Sequence, residues 1–151
     1  MPQPNADAGA VLALDPGSVR VGVAASVPGS TIATPIGSMP RDPAVLWPRL
    51  LREVSERGVR LIVVGLPRTL DGGEGDAAAD ARTLAAEAAQ RTGLPCELWD
   101  ERFTTAQAER DLVAAGVRRR RRREVVDAAA ATLLLQSWLD SPQSRTRTRG
   151  G

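Results

Sequence analysis

The hydrophobic period changes along the chain, and this restricts its fold more than any other feature. Between Ala10 and Met39 the apolar residues form short runs broken by turn signals: Ala10 to Asp15 ends at Asp-Pro-Gly, Val19 to Ser26 ends at Val27-Pro28-Gly29-Ser30, and Thr31 to Met39 alternates polar with apolar. Such runs read as three strands linked by hairpins. From Asp42 onward the period lengthens: Val45, Leu46, Leu50, Leu51 and Val54 recur at helical spacing, with Asp42-Pro43 as a start signal and Gly58 as a stop. Leu61 to Gly65 is a short, fully apolar strand, an alanine-rich helix follows a Pro/Asp/Gly-rich loop, running from about Asp76 to Arg91, and Glu97 to Glu101 forms a last strand. Hairpins force the first three strands antiparallel, and helical crossovers make the later two parallel. The predicted fold class is therefore α/β, a mixed five-stranded sheet of three antiparallel strands and then two parallel ones, flanked by helices.

Beyond the sheet, Thr104 or Thr105 can cap a helix ending near Gly116, and an almost wholly apolar helix runs from about Glu124 to Leu139. With 151 residues, 42% of them hydrophobic, the chain suits one domain with a substantial core. Its expected organisation is a flexible N-terminus over 1–9, one α/β domain over 10–140 and a disordered Ser/Thr/Arg/Gly tail over 141–151. No apolar run approaches the roughly 20 residues needed to span a bilayer, and Met1 to Gly9 lacks a secretory pattern, so the expectation is a cytoplasmic protein without membrane contact. Cys96, the single cysteine, reads as a small apolar side chain beside Pro95.

Histidine, lysine and tyrosine are absent. That removes Ser-His-Asp and Cys-His catalysis, histidine-bound zinc, Schiff bases and the phosphate-loop lysine, and leaves chemistry to carboxylates and hydroxyls. Three placements of acid stand out. Asp15 closes an apolar strand beside Pro16-Gly17, where bare backbone permits close approach of a cation or phosphate. Asp100 and Glu101 end the last strand, and alternation allows only one of them onto Asp15's face. Asp127 interrupts an otherwise apolar helix, where a carboxylate needs a partner or a cation unless the helix dipole alone accounts for it. Carboxylates without histidine or thiolate suit hard cations, Mg²⁺ or Mn²⁺, and a pair of such ions about 4 Å apart can activate water and stabilise a leaving oxygen.

The positive charge is concentrated. From Arg118 onward nine arginines face Glu124, Asp127 and Asp140, giving +6, whereas residues 1–117 hold eleven arginines and fifteen acids, giving −4. The run Arg118, Arg119, Arg120, Arg121, Arg122, Arg123 reads as sitting just before the last helix, where cations oppose the helix dipole, so phosphate binding is the better explanation. Arg20 and Arg102 lie beside the candidate acids, able either to hold phosphate through paired hydrogen bonds or to pair with those acids. Aromatics are too few for a base-stacking platform.

Four blocks together resemble the YqgF/RuvX family of RuvC-like nucleases: Ala13-Leu14-Asp15-Pro16-Gly17-Ser18-Val19-Arg20-Val21-Gly22-Val23-Ala24, Val64-Gly65-Leu66-Pro67 with Asp71-Gly72, Asp100-Glu101-Arg102-Phe103-Thr104-Thr105, and Val125-Val126-Asp127-Ala128-Ala129-Ala130. They occur in the family's order over about Val11 to Leu139. The resemblance implies an RNase H-like fold and a divalent-metal site of Asp15, Glu101 and Asp127, with Asp100 as a fourth ligand or a structural partner. It also implies trimming of the 5′ end of precursor 16S ribosomal RNA, or, as in some relatives, resolution of Holliday junctions. An arginine run replaces the family's usual lysines before the last helix, which leaves the carboxylates untouched.

Two rival readings are weaker. Actin-like kinases share a strand-ending Asp-x-Gly but need a second lobe, for which 151 residues leave no room. A non-catalytic RNA-binding or transcription factor on the same fold accounts for the arginines but leaves Asp127 without a purpose. Paired cuts across a branched DNA would require two active sites, and hence a homodimer.

Overall fold

The computed structural model describes residues 9–69, 71–100, 119–142 and 144, and for 119–127 the backbone alone. Its elements, in chain order, are β1 (Ala10–Pro16), β2 (Arg20–Ser26), β3 (Ala33–Pro40), α1 (Pro43–Arg57), β4 (Val59–Leu66), α2 (Asp76–Thr92), β5 (Cys96–Asp100) and α3 (Arg119–Leu139). The strands form one sheet in the order β3-β2-β1-β4-β5. β1 pairs antiparallel with β2, and β2 with β3; β1 pairs parallel with β4, and β4 with β5. This is the mixed sheet predicted from the change of period. The helix expected from Thr104 or Thr105 to near Gly116 lies outside the described residues, as do Glu101, Arg102 and Arg118.

Local chemistry sets the element ends. Asp42 caps α1 by accepting the Ala44 N–H at 3.0 Å, Pro43 occupies the first turn, and Gly58 closes the helix in the left-handed region at φ 61°. β3 tolerates Pro35 and Pro40 because it is an edge strand, so a missing N–H leaves no ladder bond unmade on its open side.

One expectation needs correction. The last helix begins at Arg119, not near Glu124, so Arg119 to Arg123 form its first turns and do not precede it. Arginine is a good helix former, and a helix held by packing of its distal half can extend through cations that its dipole disfavours by a few tenths of a kcal/mol each.

The sheet is covered on both faces. On one side Leu12, Leu14, Ile62 and Val64 pack against Leu46, Trp47 and Leu50 of α1 and against Ala78, Ala81, Leu84, Ala85 and Ala88 of α2. The alanine stripe at three- and four-residue spacing lets α2 lie close to the strands. On the other side Val11, Ala13, Ala24, Leu61 and Val63 pack against Ala131, Leu134, Leu135, Trp138 and Leu139 of α3. Period-two alternation in β1 and β4 thus feeds two separate cores, and burial on both faces accounts for their near-continuous apolar sequences.

Polar ties help to seat α3. Gln136 donates to the Thr31 carbonyl at 2.7 Å and accepts the Ala33 N–H at 3.0 Å, while Trp138 donates its indole N–H to Glu97 at 2.9 Å. After α3, Ser144 is buried and donates to the Leu139 carbonyl at 2.7 Å.

Candidate active site

β1, β4 and β5 run parallel, so their C-terminal ends share one rim of the sheet, where β2 also starts and β3 ends. Asp15 stands at this rim, half-buried. Alternation puts it on the α3 face with Val11 and Ala13, which pack against α3. Its neighbours in the sheet are glycines: Gly22 is its antiparallel partner in β2, and Gly65 lies one residue past Val64, the partner of Leu14 in β4. With no Cβ on either side, neither sheet neighbour sets a side chain against the Asp15 carboxylate. Among the described residues it makes no hydrogen bond or ion pair.

The other described acids are mostly committed. Asp80 receives a two-pronged bond from Arg41 at 2.6 and 2.8 Å, and Glu74 one from Arg82 at 2.7 Å on each oxygen. These guanidiniums hold both carboxyls below the usual range. Asp71 is likewise held low, by the Thr69 hydroxyl and the Gly73 N–H within its own turn. Glu53 pairs with Arg57, Glu87 with Arg91, and Asp42 is a helix cap. Glu97 accepts the indole N–H of Trp138, a role that sequence reasoning missed; its one signal was an indole on the apolar side of the last helix, which needs an acceptor.

Of the predicted site residues, Arg20 shares the face of Asp15. Val21, Val23 and Ala25 point to the α1/α2 core, so Arg20, Gly22 and Ala24 point to the α3 side. A hydrogen bond of 3.0 Å from Arg20 to the Ser38 hydroxyl fixes one end of its guanidinium at the rim. Asp100 goes to the opposite face: Leu98 packs on the α1/α2 core and Trp99 on the α3 core, and Asp100 is paired with Leu66 of the former.

Register and helix rise set the reach of α3. Gln136 is tied to Ala33, which pairs with Ser26, and the Ser26 hydroxyl accepts the Val11 N–H at 2.8 Å, so Gln136 lies level with Val11. Asp15 is four strand residues above Val11, about 13 Å at ~3.3 Å each. Asp127 is nine helical residues back from Gln136, also about 13 Å at 1.5 Å each. The N-terminal half of α3 is therefore long enough to reach the rim that carries Asp15. Among the described residues no three potential metal ligands cluster.

A mixed sheet in this order, with a strand-ending carboxylate at the C-terminal rim and a closing helix on the same face, defines an RNase H-like fold. The chain belongs to the RuvX family, whose model, described as Holliday junction resolvase, matches residues 9–141. A protein of Mycolicibacterium paratuberculosis named "Putative pre-16S rRNA nuclease" is 46% identical over 151 residues, 99% of this chain and 90% of its own length. One of Streptomyces coelicolor with the same name is 42% identical over 149 residues, 97% of this chain and 89% of its own. Among solved structures, RuvC of T. thermophilus in complex with Holliday junction substrate matches with a TM-score of 0.56 at 16% identity, over 93% of this chain and 97% of that one. That likeness is one of fold.

Proposed function

We propose that the chain is a divalent-metal-dependent endonuclease of structured RNA, acting at the 5′ end of precursor 16S ribosomal RNA, with residues 10–140 as its catalytic domain. The observation that carries this reading is Asp15: a carboxylate without a protein partner among the described residues, between two glycines, at a rim that α3 is long enough to reach. The family's curated relatives, named as pre-16S rRNA nucleases, support the substrate.

Oxygen donors with no histidine or thiolate fit Mg²⁺ or Mn²⁺, so Asp15 and Asp127 are assigned as ligands. Asp100 lies on the face opposite Asp15, which is the ground for assigning the third acid to Glu101 over Asp100. When bound, the ions supply a nucleophilic water at neutral pH and charge stabilisation at the leaving oxygen. Arg20, held by Ser38, keeps a guanidinium beside the acids to grip a phosphate, with Arg102 as its counterpart. The arginines from Arg118 to Arg123 hold the flanking backbone. A ribosomal RNA substrate implies the cytoplasm, and among the described residues no helix is long and apolar enough to cross a membrane.

The test compares cleavage of precursor 16S RNA and of a four-way DNA junction under matched salt with Mg²⁺ or Mn²⁺. The RNA should be cut, and Asp15→Asn, Asp127→Asn or Glu101→Gln should each lower the rate by on the order of 10²-fold or more with the circular dichroism unchanged. Preferential cleavage of the junction would transfer the assignment to branched DNA and a paired-site homodimer. Wild-type turnover by a folded Asp15→Asn protein would refute the metal site.

A further inference from the structure

Among the described residues, the side chain of Arg41 holds the turn that follows Asp15 from outside the hairpin. Arg41 lies between the end of β3 and the cap of α1, so its backbone is fixed on both sides. Its N–H donates to the Val19 carbonyl at 3.2 Å. Its guanidinium donates through one nitrogen to the Gly17 carbonyl at 2.8 Å and to Asp80 at 2.6 Å, and through the other to the second Asp80 oxygen at 2.8 Å. Asp80 belongs to the second turn of α2. Within the turn, the Gly17 N–H donates to the Arg20 carbonyl at 2.8 Å, and a Cβ on Gly17 would meet that same oxygen at 2.9 Å. Arg41 thus ties the Asp15-Pro16-Gly17 segment to α2, across the connection between separate elements.

We propose that Arg41 is a positioning residue for the candidate metal site: by gripping Gly17 and Asp80 together it holds the Asp15 carboxylate at the rim in a fixed orientation. The inference rests on Asp15 being a metal ligand. A guanidinium suits the task because its planar fork can serve a carboxylate with two nitrogens and a carbonyl with one, whereas an ammonium is a single point donor on a flexible stem. Holding a ligand to within a few tenths of an ångström is what such outer contacts do at metal sites, where their loss typically lowers affinity 10- to 100-fold.

The experiment uses the full chain and Mn²⁺ as the probe, with Arg41→Gln, Arg41→Lys and Asp80→Asn beside Asp15→Asn. Mn²⁺ binding is followed by calorimetric titration, hydrogen exchange at the amides from Gly17 to Arg20 by NMR, and folding by thermal melts. Expected are faster exchange at Gly17 and roughly 10-fold weaker Mn²⁺ binding in Arg41→Gln and Asp80→Asn, with a smaller loss in Arg41→Lys, in proteins that still melt cooperatively. Unchanged exchange, or faster exchange with wild-type Mn²⁺ affinity, would overturn the positioning role while Asp15→Asn still abolished binding. Wild-type Mn²⁺ affinity in Asp15→Asn would instead overturn the metal site and, with it, the role of Arg41.

Discussion

Trp138 anchors α3, the helix that carries Asp127, on the sheet. Its side chain is completely buried against Val11, Ala13 and the β4 residues Leu61 and Val63, and its indole N–H is spent on Glu97. Truncation to alanine removes a large apolar side chain from a packed core, which costs about 3–5 kcal/mol, and the lost hydrogen bond to a carboxylate adds about 1 kcal/mol or more. For a domain of this size each kcal/mol lowers the melting temperature by roughly 2–4 °C, so Trp138→Ala should melt about 8–24 °C below wild type. Trp138→Phe keeps most of the apolar area but not the donor, and should lose about 1–2 kcal/mol. Urea unfolding followed by far-ultraviolet circular dichroism measures both, and a double-mutant cycle with Glu97→Gln isolates the indole–carboxylate coupling. A loss below 1 kcal/mol for Trp138→Ala at unchanged m-value would show that α3 is not anchored on the sheet through this contact, and the proposed approach of Asp127 to Asp15 would lose its support.

Three further outcomes follow from single features. Asp80 is held below its ordinary value of 3.8 by Arg41, so the pair's stabilisation is fully present above pH 3.8 and fades as pH falls through the lowered folded value; the stability gap between wild type and Arg41→Gln, read by urea unfolding, should be constant near pH 6 and narrow only below about pH 4. Burial pushes the Cys96 thiol up to about 11, so at pH 8 only about one part in a thousand is thiolate, and iodoacetamide should label the native protein far more slowly than the unfolded chain; equal rates would refute the burial. Arg119 to Arg123 are helical, with successive positions turned by 100° about the axis. If two or three of them neutralise duplex phosphates, replacing Arg118 to Arg123 with Gln should make the slope of log affinity against log salt shallower by roughly 1.8 to 2.7, and an unchanged slope would return the run to a solvated surface.

Much of the architecture was legible because its cause is local. Turn residues at 15–17 and 27–30, the cap at Asp42 and the stop at Gly58 act within a few residues, and the switch of period from two to about 3.6 separates the antiparallel meander from the crossovers without knowledge of any contact. The absence of histidine and lysine confined the chemistry to carboxylates in the same local way. The start of α3 was misread because an arginine run has strong helix propensity but no apolar period, and periodicity was the only signal in use.

Which face each acid takes, and what each meets there, was decided only by tertiary structure. Alternation says that Asp100 and the residue after it point opposite ways, but only the packing of Leu98 under α1/α2 and of Trp99 under α3 says which way. The glycines beside Asp15 come from two other strands, Gly22 and Gly65, and are neighbours of the carboxylate only through the register. Arg41, Asp80 and Gly17 are separated by 24 and 39 residues and carry no shared motif, so nothing short of the folded chain brings them into one bond network. Local sequence dictates φ, ψ and period, whereas partners across a sheet depend on register and on which helix covers which face, and these are settled by long-range packing.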